Sequence, residues 1–376
     1  MRQQIKRMGA AAAVLTLATV FPPAAQADNW WEKIKVKGDL RYRHEMLDFG
    51  DKDPRNRQRI RARLGFFGEA SPYTKIGIQL STGTGDPVST NQTLDDGFSN
   101  KRVGLDLAYF EATHPKLPGL AVTGGKFYNP FFKPGHSELI WDSDWNPEGG
   151  VVRYDRDLES VSLLFVGSGL WIDERSSGDD SYLAAGQAMA RVRLNEKNSS
   201  LAFGAAYYNY VNTQGFQPFF DPGDAMGNSV VELDDDGETV LLFASDYDLI
   251  EVFGEFTHEL NAVPMTVMAD FVTNTAADSL ETGWLVGVNI GKAKKAGSVD
   301  FRYIYRNVEA DAVVGIFTDS DFRDGGTDGK GHELGGSVQL ADNTTLSLSY
   351  FINDFGLETE TPLDFNRLQV DLQLKF

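Results

Sequence analysis

Leu368–Phe376 reads LQVDLQLKF, and this stretch decides the fold. Leu368, Val370, Leu372, Leu374 and Phe376 fall on one face of an extended strand, and Gln369, Asp371, Gln373 and Lys375 fall on the other, because side chains alternate with period two. No helical period fits these positions. An apolar face this regular either packs on a soluble core or, in a closed barrel, meets lipid.

The same alternation recurs upstream. Ile34, Val36, Leu40 and Tyr42 are interleaved with Lys35, Lys37, Asp39, Arg41 and Arg43. After the polar loop 48–56, Ile60, Ala62, Leu64 and Phe66 share one face, with Arg57, Arg59, Arg61 and Arg63 on the other. Ile76, Ile78 and Leu80 face outward on a third strand, and Val299, Phe301, Tyr303 and Tyr305 on a later one. Faces stay ambiguous over 105–113 and 201–210, where apolar residues occupy both sides. About 16 strands emerge along the chain, an even number that suits a barrel with both termini on one side.

The connections separate by parity. Those at 71–74, 114–119, 155–160, 195–200, 261–264, 292–297 and 341–344 are short. Between them lie 83–102, 128–149, 173–183, 212–247 and 310–332, all longer and rich in Gly, Asp or Pro. Short periplasmic turns opposite long external loops are what a barrel inserted from one side requires, whereas a soluble sandwich has no reason to sort its loops. The expectation is an all-β, transmembrane antiparallel β-barrel of about 16 strands.

Bulk properties agree with that reading. Mean hydropathy is −0.30, and no run after residue 27 approaches the roughly 20 apolar residues of a membrane helix. Barrel strands spend only every second side chain on lipid, so this is no objection. Arg2, Lys6 and Arg7, the apolar run 10–20 and Ala25-Gln26-Ala27 read as an export signal over 1–27, leaving 28–376 as one barrel domain. Trp30 and Trp31 suit a membrane interface. Without residues 1–27 the chain carries 32 Lys and Arg against 54 Asp and Glu, a net charge of −22. Such acidity argues against nucleic acid as a partner. The 376 residues include no cysteine, which removes disulfides and thiolate chemistry together.

Arg57, Arg59, Arg61 and Arg63, joined by Arg41 and Arg43, form a basic stripe. On a lipid face each would cost about 2–4 kcal/mol at the membrane midplane, so they are expected to line a water-filled lumen. The loop 128–149 mixes Glu138, Asp142, Asp144 and Glu148 with Phe131, Phe132, Trp141 and Trp145. Aromatics of that size need burial, so the loop is expected to fold inward and narrow the lumen, setting its carboxylates opposite the arginines. The alternative is a loop that caps the barrel or packs on a neighbouring subunit. Asp234–Gly237 and Asp319–Gly331 read as solvated tips, with calcium bridging to lipopolysaccharide as the alternative. The five histidines are scattered, without H-E-x-x-H or G-x-S-x-G, so neither catalysis nor a metal or cofactor is expected.

RNRQRIRARLG at 55–65, DPVSTNQT at 86–93, GGKFYNPFF at 124–132 and LIWDSDWNPEG at 139–149 resemble the family named putative porins of Gram-negative bacteria. The terminal strand, closing on Phe376, resembles the carboxy-terminal strand that the barrel assembly machinery of the outer membrane reads. The resemblance implies a pore of the outer membrane in contact with lipid and lipopolysaccharide, passing small hydrophilic solutes and ions, with an inward third external loop and a homotrimer. Two other classes stay open: a non-conducting surface barrel acting as adhesin or tether, and a secreted β-sandwich binding carbohydrate.

Overall fold

A computed structural model describes residues 33–50, 52–98, 100–194, 199–235, 237–359 and 361–376. The export segment 1–27 and Trp30–Trp31 lie outside the described residues. Nineteen strands are present among them: β1 Lys35–Phe49, β2 Arg55–Ser71, β3 Thr74–Thr82, β4 Gln92–Thr93, β5 Val103–His114, β6 Leu117–Lys126, β7 Glu148–Asp157, β8 Val161–Asp173, β9 Ser181–Arg193, β10 Ser199–Val211, β11 Val230–Asp235, β12 Glu238–Phe243, β13 Asp248–Leu260, β14 Val263–Asn274, β15 Thr282–Gly291, β16 Val299–Val308, β17 Gly329–Ala341, β18 Thr344–Phe355 and β19 Leu363–Lys375. Sixteen of these pair antiparallel with their neighbours and form the barrel. The two-residue β4 lies against β2, and β11–β12 form a separate hairpin.

The terminal strand closes the cylinder. β19 pairs with β1 in the register Leu40↔Leu374, Tyr42↔Leu372 and Met46↔Leu368. Gly38 and Phe376 exchange two backbone hydrogen bonds of 3.0 Å at the seam. With no free edge, each barrel strand has a neighbour on both sides for its backbone groups, as a hydrocarbon solvent demands.

The apolar faces point outward. Val36, Ile78, Val252 and Leu348 are each about half exposed, while Arg43 and Arg61, on the opposite faces, are 4% and 5% exposed. This is the inverse of a soluble protein, in which contiguous apolar surface rarely exceeds a few hundred Å². Trp171, Tyr182, Tyr207 and Trp284 are exposed toward the loop end, and Phe66, Phe110, Phe301 and Phe376 toward the turn end. These positions match the aromatic girdles of transmembrane barrels.

The two ambiguous strands have physical explanations. In β5, Gln79 pairs with Leu107 while Leu80 pairs with Leu105, so the ladder slips by one residue at Asp106. Leu105 is therefore outward, whereas Asp106 and Leu107 are both buried. In β10 the alternation is regular, but Tyr208 and Tyr210 face inward onto a loop and are fully buried there. External loops are numbered L1 50–54, L2 83–102, L3 127–147, L4 174–180, L5 212–247, L6 275–281, L7 309–328 and L8 356–362.

Candidate functional site

L3 crosses the interior of the barrel. It leaves β6, and its tip docks on the wall built by β9 and β13–β16. Phe132 donates its N–H to Gln187 at 2.7 Å and accepts from the Gln187 side chain at 3.0 Å. Gly135 donates to Glu255 at 2.7 Å, and its carbonyl accepts from Asn289 at 3.1 Å and Arg302 at 2.8 Å. The tip turns through two left-handed residues, Gly135 (φ 56°) and His136 (φ 58°). A side chain at 135 would have its Cβ 1.8 Å from the Met268 sulfur, so this approach would require the Met268 thioether to move aside.

The aromatic residues of L3 are buried because of that crossing. The Trp141 and Trp145 rings stack 4.4 Å apart, and Phe131, Tyr208 and Phe317 surround them at 5.2–5.8 Å. Leu183, Leu249, Leu285 and Ile304, all facing inward, are fully buried around this cluster. Packed apolar side chains fill that side of the lumen.

A second loop goes in with it. L7 buries Ala312, Val313, Val314, Ile316, Phe317 and Phe322. It is tied to L3 by Thr318 Oγ1 donating to the Leu139 carbonyl at 2.8 Å, by Asp142 N–H donating to the Phe317 carbonyl at 2.8 Å, and by Ser320 N–H donating to Asp142 at 2.9 Å. The expectation of a solvated tip at 319–331 is thereby overturned, since much of this segment is buried against L3 and the wall. The exposed 234 and 237 region does project into solvent.

The six arginines all face inward, and four of them hydrogen-bond carboxylates. Arg43 Nε donates to Asp371 at 2.7 Å, and its Nη1 lies 3.3 Å from Asp321. Arg57 binds Glu45. Arg61 lies 3.1 Å from Asp39 and 3.4 Å from Asp144, and Arg63 lies 2.7 Å and 3.7 Å from the same two. Arg41 and Arg59 are held more loosely, 3.8 Å from Asp371 and 3.7 Å from Glu45. Arg367 joins the group through Asp321 at 3.0 Å and through Asp324. Seven guanidiniums thus face six carboxylates.

The four loop carboxylates separate. Asp144 alone meets the ladder. Burial raises its carboxyl, but Arg61, Arg41 and Arg63 outweigh that and hold it below the usual range. Glu138 and Asp142 cluster instead with Asp319 of L7, ligand oxygens lying within 4.8 Å of one another. Deep placement and then Asp319 push Glu138 up to about 7, although the side chain keeps some open surface, and burial with Glu138 raises Asp142 well above its ordinary value. Glu148 is on β7, exposed, and pairs with Lys126 at 3.0 Å.

Several residues of this interior escaped the sequence reading. Extending the β19 alternation one step would have put Arg367 beside Gln369 and Asp371. The run Ala312-Val313-Val314-Gly315-Ile316-Phe317 carries for L7 the same apolar signal that Trp141 and Trp145 carry for L3. Beneath the external rim, Asp86, Asp106, Asp144, Trp145, Phe219 and Phe317 help line a cavity of about 570 Å³.

The profile of a protein family described as "putative porin" matches residues 50–245 and 249–376. Among solved structures, OprB of Pseudomonas putida superposes with a TM-score of 0.58 at 11% identity, covering 93% of this chain and 96% of that one. OmpF of Salmonella typhi, solved in complex with daunomycin, gives 0.56 at 11% identity over 91% and 97%. A loop-deletion mutant of OmpT, an outer membrane protein of Vibrio cholerae, gives 0.51 at 11% over 92% and 100%. At these identities the likeness is one of fold. A search of curated proteins returned no match.

Proposed function

Because this chain belongs to the putative porin family, we propose that it is a passive diffusion channel of the outer membrane, constricted by L3 against the wall that carries the arginine ladder. The observation that carries this reading is the inside-out closed barrel, with apolar side chains outward and L3 spanning a charged interior. A channel rather than an enzyme is what family and fold indicate.

The passage lies on the arginine side, because L3 and L7 fill the opposite side with packed apolar residues. Arg41, Arg57, Arg59 and Arg63 line it and keep 13–23% of their side chains exposed. Asp144 of L3 meets Arg63 at 3.7 Å, and Asp321 of L7 meets the neighbouring Arg43 at 3.3 Å. Near-balance of guanidiniums and carboxylates favours dipolar and neutral hydrophilic solutes over a strong preference for ions of one sign. Solutes move down their gradients, since nothing in such a wall couples to an energy source.

The finer partners follow from the surface. The alternating face of Leu368, Val370, Leu372 and Leu374 with Phe376 is the element offered to the barrel assembly machinery. The exposed outer belt is covered by lipid and lipopolysaccharide or by neighbouring copies in a homotrimer. Residues 1–27 direct export. The packed L3 and L7 also support a second reading, a barrel closed at rest that serves as a surface anchor. Liposome swelling separates the two: the channel reading predicts uptake of small sugars that slows with sugar size, and faster uptake of larger sugars after deletion of 133–139. No uptake of any sugar by correctly inserted protein selects the anchor.

A further inference from the structure

The register of β1 on β2 sets Arg41 opposite Arg61 and Arg43 opposite Arg59, so four guanidiniums share one patch of the lumen wall. Arg41 and Arg59 occupy its diagonal, about 7–8 Å apart at the backbone. The remaining ladder arginines spend their donors on carboxylates: Arg43 on Asp371, Arg57 on Glu45, Arg61 and Arg63 on Asp39. Arg41 and Arg59 do not. Their nearest carboxylates are at 3.8 Å and 3.7 Å, beyond hydrogen-bond reach. Arg41 has instead the neutral Asn91 side chain at 2.6 Å.

The Nε of Arg41 and the Nε of Arg59 are both enclosed by protein and without an acceptor among the described residues. Arg306, Arg323 and Arg367 share that trait, but Arg306 and Arg367 each have a carboxylate on their terminal nitrogens, at 2.9 Å for Arg306, and Arg323 lies in L7, away from the ladder strands, with its Nη1 on the Thr327 carbonyl. Arg41 and Arg59 also keep 13% and 14% of their side chains open. Charge, planar donor forks and access are thus left over at one place. A guanidinium fork matches the two oxygens of a carboxylate or phosphate, and the like-charged neighbours Arg43 and Arg61 make an anion there more favourable still.

We propose that Arg41 and Arg59 form an oxyanion-binding station on the lumen wall, which takes the carboxylate or phosphate group of a passing solute between them. The proposal rests on the channel reading above. Asp371 and Glu45 hold the two side chains near the solute path without satisfying them.

The test uses full-length protein in planar bilayers carrying chloride current, with inorganic phosphate or succinate added to one side. The expected result is saturable block by at least one of the two, which identifies the oxyanion class. Arg59→Gln and Arg41→Gln each raise the half-blocking concentration about tenfold. Arg59→Lys keeps the charge and loses the fork, so block weakens about threefold. A conducting wild type that neither solute blocks overturns the station, as does block unchanged in both Gln variants. A wild type without any current overturns the channel reading itself.

Discussion

At Gly38 an added Cβ would stand 2.4 Å from the backbone oxygen of Arg63 and 2.4 Å from the Phe376 ring. The carbonyl belongs to the β1–β2 ladder and cannot retreat without breaking register. The ring lies across the seam where the last strand meets the first. Gly38→Ala is therefore expected to destabilise the closed barrel by about 1–3 kcal/mol, the usual cost of overfilling a packed position. The readout is the temperature at which the folded, fast-running band on a gel converts to the slow one. An unchanged transition would show that the Phe376 seam does not limit stability. The alternating face ending on Phe376 was visible in LQVDLQLKF, but its contact with Gly38 was not. That contact depends on which strand closes the barrel and in what register, and no local period encodes either.

L3 and L7 meet through groups that exchange protons. Glu138 and Asp142 of L3 lie against Asp319 of L7, with Lys133 and Glu333 also acting on Glu138 and with Arg306 bound to Asp319 at 2.9 Å. The Glu138 carboxyl moves from an ordinary 4.5 up to about 7. A carboxyl raised on folding stabilises the folded contact fully below its unfolded value, and that contribution is lost as pH rises through the folded value. Docking of L3 on L7 should thus be tightest below about pH 4.5 and weaken as pH rises to about 7. Proteolysis between residues 133 and 145, followed from pH 5 to pH 8, is expected to accelerate in the wild type and to lose part of that pH dependence in Glu138→Gln, the remainder being carried by Asp142, whose carboxyl burial also raises. An identical pH profile in the variant would remove Glu138 from the contact. The burial of L3 was legible because Trp141 and Trp145 have no place in solvent. L7 was misread because its Asp and Gly residues at 319–331 masked the apolar run at 312–317. Pairing of Asp321 and Asp324 with Arg43 and Arg367 joins residues far apart in sequence, and composition says nothing about it.

For the whole molecule, two solvents explain the architecture. The outer faces of β1–β3 and of the other barrel strands are apolar and exposed, and their opposite faces carry the charge. Nine-residue β3 is about 30 Å long at about 3.3 Å per residue, and tilted by about 40° it stands about 23 Å high. That height matches an apolar band of about 25 Å, so even the shortest barrel strand spans it. Strand number, closure and the sorting of loops by length were legible in sequence because each repeats along the chain. The counter-ion pairing inside was not, because it is set by how two loops fold across the bore. The central claim is that water and solutes fill what these charges enclose. It is tested most directly by reconstituting the purified, folded protein in planar lipid bilayers and recording current at fixed voltage. Discrete current steps whose size grows with KCl concentration are predicted. Insertion of folded barrels without any current step, at every salt concentration and pH between 5 and 8, would contradict it.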